Sequence, residues 1–80
     1  MDTKIAVVAL IIENSDAAES VNSILHDFCD YVVGRLGVPY RQKQICVISV
    51  IIDAPQETIN SLSGKLGMIK GVSCKVLTTK

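Results

Sequence analysis

The chain carries one histidine and no net charge, and each shortage closes off a class of function. Lys plus Arg number 8 and Asp plus Glu number 8. The basic footprint that nucleic-acid or anionic-membrane binding needs is therefore missing. His26 has no second imidazole with which to form a relay. It stands three residues before Cys29, and a Cys–His pair on one helix lacks the partner that orients a catalytic base. Serines and threonines are scattered without a base, so the chain does not read as an enzyme. The cysteines Cys29, Cys46 and Cys74 are odd in number and far apart. They form neither a disulfide framework nor a CxxC motif, and they read as small buried hydrophobes in a reducing cytoplasm. A four-ligand metal site would have to gather all three with His26, and the spacing gives that little support; no cofactor is expected. No apolar run reaches the ~18 residues of a membrane span. The opening Met1-Asp2-Thr3-Lys4 lacks a signal-peptide n-region, which predicts a cytoplasmic protein. No linker, low-complexity tract or repeat interrupts the 80 residues, so 1–80 reads as a single domain.

What is present is an ordered series of hydrophobic rhythms. A first strand is predicted from Lys4 to Ile12, apolar at every position from Ile5. Glu13-Asn14-Ser15-Asp16 breaks it, and Asp16 with Glu19 resembles a capping box. Ala17, Ala18, Val21, Ile24, Leu25 and Phe28 then recur at helical spacing. A second strand is predicted over Tyr31 to Leu36, followed by a turn region from Gly37 to Lys43; Pro39 places this end at a sheet edge. A third strand is predicted over Gln44 to Ile52. Pro55 marks the start of a second helix whose buried face is Ile59, Leu62, Leu66 and Ile69, with Gly67 as its expected stop. A last strand is predicted over Val72 to Thr78. Strand, helix, strand, strand, helix, strand is the order of an α+β ferredoxin-like sandwich. Its antiparallel sheet has the order 4-1-3-2, with both helices on one face. The two most apolar strands, the first and third, then fall in the centre, and the edges carry Arg35, Ser73 and Lys75.

Two helices cover one face of such a sheet. Alternation places Ile5, Val7, Ala9 and Ile11 on one side of the first strand and Ala6, Val8, Leu10 and Ile12 on the other. The third strand offers Ile45, Val47 and Ile51 against Cys46, Ile48, Val50 and Ile52. An antiparallel sheet with one wet face should be polar on that face, and this one is not. Each large side chain left wet forgoes ~1.5–3 kcal/mol. A homo-oligomer, dimer or tetramer, packed through its sheets is therefore expected.

Two stretches could hold a ligand. Gly34-Arg35-Leu36-Gly37-Val38-Pro39-Tyr40-Arg41 combines two glycines that permit close approach with Arg35 and Arg41, which could hold a carboxylate or phosphate, and with Tyr40, which could stack or donate. A strand with a bulge, followed by a rigid turn with solvated arginines, explains the same residues. Glu13-Asn14-Ser15-Asp16 opens a helix N-terminus that could receive an anion, though simple capping already accounts for Asn14, Ser15 and Asp16. Gly64, Gly67 and Gly71 lie at the end of a helix, the wrong end for a phosphate loop.

The stretches IIENSDAAESVNSIL, YVVGRLGVPYR, ISVIIDAP and INSLSGKLGMIKGVSCK together resemble the small proteins named as regulators of the iron-only hydrogenase system. The resemblance spans nearly the whole chain. It implies an ACT-like domain, similar to the C-terminal sensing domain of nickel-responsive repressors, and hence a regulatory, ligand-binding oligomer. By position it implies a small ligand, such as an amino acid, near Asn14 and Ser15 and more loosely near Gly34, Arg35, Gly37, Tyr40 and Arg41. The lone His26 and the three residues before the first strand depart from the nickel-responsive repressors, so neither nickel sensing nor direct DNA binding is expected. A protein-docking or assembly accessory without a small ligand is the alternative, and a metal-binding module a third.

Overall fold

The computed structural model describes residues 2–79. In chain order the elements are β1 (Lys4–Ile12), α1 (Ala17–Asp27), β2 (Val32–Tyr40), β3 (Ile45–Ala54), α2 (Gln56–Gly67) and β4 (Val72–Thr78), with single 3-10 turns at Cys29–Tyr31 and Arg41–Lys43. The strands form one antiparallel sheet in the order β2-β3-β1-β4, which is the expected order read from the other edge. β1 and β3 are central because they have an apolar residue at nearly every position and can be flanked on both sides.

The core lies between one sheet face and the helices. Ala6, Val8, Leu10 and Ile12 from β1 and Ile48, Val50, Ile52 and Ala54 from β3 are buried there. Ala17, Val21 and Leu25 of α1 and Ile59, Leu62 and Leu66 of α2 close over them. The spacing of three and four that makes each helix amphipathic thus selects the residues that seal the sheet. Register keeps the opposite set together. Val7 faces Ile51, Ala9 faces Ser49 and Ile11 faces Val47, all on the face the helices leave open.

Several local expectations need correction. β2 does not stop at Leu36 but runs to Tyr40. Gly37 and Pro39 pair with Ile48 and Cys46, and a proline is tolerated because β2 is an edge strand. β3 is longer at its end, taking in Asp53 and Ala54, and Pro55 sits just before α2 rather than within its first turn. Asp16 makes no side-chain cap; Asn14 Oδ1 accepts the Asp16 N–H at 3.0 Å instead. Gly67 ends α2 in ordinary helical geometry, and the left-handed residue between α2 and β4 is Gly71, at φ 83°.

Gly71 also fixes the loop after β1. Its carbonyl accepts the Glu13 N–H at 2.8 Å, and a Cβ at position 71 would sit 2.7 Å from the Asn14 Cβ. Only a glycine meets both the φ and the contact.

Candidate ligand cleft

β1 ends at Ile12, opposite Cys46, while the β2–β3 hairpin continues for another pair, Tyr40 opposite Ile45. The hairpin tip therefore overhangs the loop that leads into α1. Between them lies a cleft of about 620 Å³. Ile12, Ala18, Pro39, Ile45 and Cys46 give it apolar walls. Glu13, Asn14, Ser15, Tyr40, Arg41 and Gln44 supply its polar groups. This is the composition of a small-molecule site, an apolar pocket with a few convergent polar groups.

Of the residues singled out from sequence, Asn14, Ser15, Tyr40 and Arg41 come together here. Gly34, Arg35 and Gly37 do not. A β-bulge between Val32 and Gly34 shifts the register, so that Arg35 lies opposite buried Val50 rather than on the open face. On that helix-covered side its Nη2 donates to Asn22 Oδ1 of α1 at 2.9 Å. Gly34 and Gly37 keep ordinary backbone angles, and a methyl group at either would meet no close neighbour. Both lie outside the lining of the cleft. Glu13, Gln44 and Cys46, which sequence reasoning did not select for a ligand site, complete the cleft. The signal for Gln44 and Cys46 is their place just past the turn; that for Glu13 is its place in the loop that opens the first helix.

The N-terminus of α1 is not an open anion receptor. The Asp16, Ala17 and Ala18 N–H groups go to Asn14 Oδ1, the Asn14 carbonyl and the Ser15 carbonyl at 3.0, 2.9 and 3.2 Å. These local bonds satisfy donors that a helix start otherwise leaves free. The remaining cation of the cleft is the Arg41 guanidinium, a planar fork suited to a carboxylate or phosphate. Glu13 supplies the opposite sign.

The three thiols are separated by environment. Cys46 and Cys74 are half-buried, whereas Cys29 is exposed, against the burial expected of it. It follows α1 on the 3-10 turn that leads to β2, past the end of the stripe that faces the core. Burial pushes the Cys74 thiol above its ordinary range, and a hydrogen bond from Ser63 opposes this. Since the thiolate is the nucleophile, iodoacetamide at mildly alkaline pH should alkylate Cys29 well before Cys74, and raising the pH should narrow the gap. Peptide mapping over time would show it; equal rates would contradict the burial. Among the described residues no group of three or more His, Cys, Asp or Glu side chains could hold a metal ion, and no helix is long and apolar enough to cross a membrane.

Three comparisons place the chain among known proteins. A family model, the TM1266-like family with the description "Iron-only hydrogenase system regulator, putative", matches residues 4–76. The solved structure of the uncharacterized protein TM1266 from Thermotoga maritima is 30% identical, superposes with a TM-score of 0.94, and is matched over 99% of this chain and 100% of that one. A formyltetrahydrofolate deformylase from Pseudomonas putida KT2440 is 18% identical with a TM-score of 0.60, over 95% of this chain but 28% of that one; this likeness shows the fold alone. Among curated proteins none matches the chain. With a family model covering all but the ends and a structure that agrees over the whole fold, the chain belongs to the TM1266-like iron-only hydrogenase system regulator family.

Proposed function

We propose that this chain is a non-catalytic regulatory module that senses a small molecule in the cleft between the β1–α1 loop and the β2–β3 hairpin tip. The family name points to regulation of the iron-only hydrogenase system. The observation that carries the sensing role is the convergence of Asn14, Ser15, Tyr40 and Arg41 on one apolar-walled cleft. Its chemistry favours a small zwitterion such as an amino acid. Arg41 would take the carboxylate, Glu13 the ammonium, and Ile12, Ile45 and Pro39 the apolar part. The module would act as a homo-oligomer, with ligand binding biasing the packing of its subunits.

A thermal-shift screen against amino acids, nucleotides and divalent metal ions tests this reading. A ligand that binds only the folded state adds about 2.7 kcal/mol at a hundredfold excess over its Kd. In a domain of this size each kcal/mol moves Tm by about 4–8 °C. One selective class of hit is expected, and Arg41→Ala should abolish the shift while leaving the unliganded Tm nearly unchanged, because Arg41 is exposed. A shift that survives Arg41→Ala would place the ligand elsewhere. A flat screen would favour the second reading, a module that docks onto a protein partner.

A further inference from the structure

We infer that the open face of the sheet is the interface between two copies of this chain, and that the second copy reaches the cleft at Tyr40. In register across the sheet, Leu77 lies beside Val7 and Ile51, Leu36 beside Ser49 and Ala9, and Val38 beside Val47 and Ile11. Leu77 is 74% exposed, Leu36 65%, Val38 46% and Ile11 42%. With Ile5, Val47, Ile51 and Tyr40 they form an apolar surface on the order of the 800 Å² that each partner of a standard interface buries. Monomers rarely leave patches larger than a few hundred Å².

Two features select a second copy over other occupants. Within the four strands this face holds one acidic and one basic residue, Asp53 opposite Ile5 and Lys75 opposite Ala9. It therefore offers nothing to a nucleic acid or to an anionic surface, and an isologous contact sets two equally neutral faces together. The relief is also self-matching. The small pair Ala9–Ser49 makes a trough between the ridges Val7–Ile51 and Ile11–Val47, and facing sheets pack by interdigitating such rows.

Tyr40 and Ile45 continue this face past the end of β1, and both also wall the cleft. A second copy seated on the sheet therefore covers one wall of the cleft. Occupancy and assembly then share residues, and each must alter the other by the same factor.

The test uses the full chain and no small molecule, so its failure is separate from failure of the sensing proposal. The sequence contains no tryptophan, and Tyr40→Trp installs a single reporter. Sedimentation velocity and indole emission would be followed from nanomolar to tens of micromolar protein. The expected result is a mass of at least two protomers, with emission moving to shorter wavelength as the mass rises. In that background Val47→Asp and, separately, Leu36→Lys should keep the far-UV circular dichroism but sediment as one protomer with red-shifted emission. A wild-type chain that stays a single protomer at tens of micromolar overturns the interface. So does an oligomer whose mass survives both folded variants. An oligomer of the Tyr40→Trp variant whose emission ignores concentration overturns the contact at Tyr40.

Discussion

Gly71→Ala is expected to lower Tm by about 10 °C and to displace the loop that carries Asn14 and Ser15. The left-handed conformation costs a residue with a Cβ about 1–2 kcal/mol, and position 71 has a φ of 83°. The added methyl would also stand 2.7 Å from the Asn14 Cβ, a distance that forces one of two backbones to move. The Glu13 N–H bond to the Gly71 carbonyl ties that movement to the cleft. At about 4–8 °C per kcal/mol for a domain of this size, the two effects together give the stated shift. Gly34→Ala is the control. Its φ is ordinary and a methyl there meets nothing within 4 Å, so its Tm should hold or rise slightly. Should the two variants melt together, Gly71 does not fasten the loop.

The second large effect separates the faces of a single strand. Leu10 is fully buried and its neighbour Ile11 is 42% exposed. Leu10→Ala removes buried methyl groups from a site enclosed by helices and sheet, and should cost about 2–5 kcal/mol. That is a large share of the ~5–15 kcal/mol that holds a typical domain folded. At protein concentrations too low for association, Ile11→Ala should cost less than half as much. Urea unfolding of both variants, followed by circular dichroism, measures the difference. Equal losses at low concentration would mean that Ile11 is enclosed within one chain, against the geometry described.

The central elements were readable because burial writes itself into long patterns. The unbroken apolar run of β1, and the run in β3, could be placed only in the middle of a sheet, and the helical spacing of Ile59, Leu62 and Leu66 could serve only one face. The ends were harder because local chemistry decides them. Gly37 and Pro39 break any propensity for strand, yet alternation puts both on one side of an edge strand where pairing with β3 tolerates them. Gly67 and Gly71 are equally able to stop a helix, and only the approach of Asn14 shows which one must be glycine.

The cleft was half legible for a similar reason. Asn14, Ser15, Tyr40 and Arg41 lie at the ends of strands, and the expected topology brings those ends together. Arg35 lies too far along β2 from the hairpin tip to reach the cleft, and the bulge sets its side. Without the bulge at Val33 the strict alternation from Val32 would have put Arg35 opposite Ser49 on the open face; with it, Leu36 takes that place and Arg35 meets Asn22 of α1. A bulge inverts every later side chain of its strand; the glycines of this stretch allowed a bulge, but not its position at Val33.

The sheet order also sets the sequence of events during synthesis. β1 is made first and is the most apolar segment, yet its two neighbours are β3 and β4, and Ala6 finds its partner on the β4 side only in Thr78. A nascent chain cannot complete this sheet as it emerges, since the strand that must sit in its centre waits for residues made at the far end. Until then β3 can pair with one side of this apolar stretch, rich in β-branched side chains, but its other side has no partner. Such a segment is the place where aggregation starts, and expression yield should therefore respond to translation rate and to polar substitutions in β1 more than to changes in either helix.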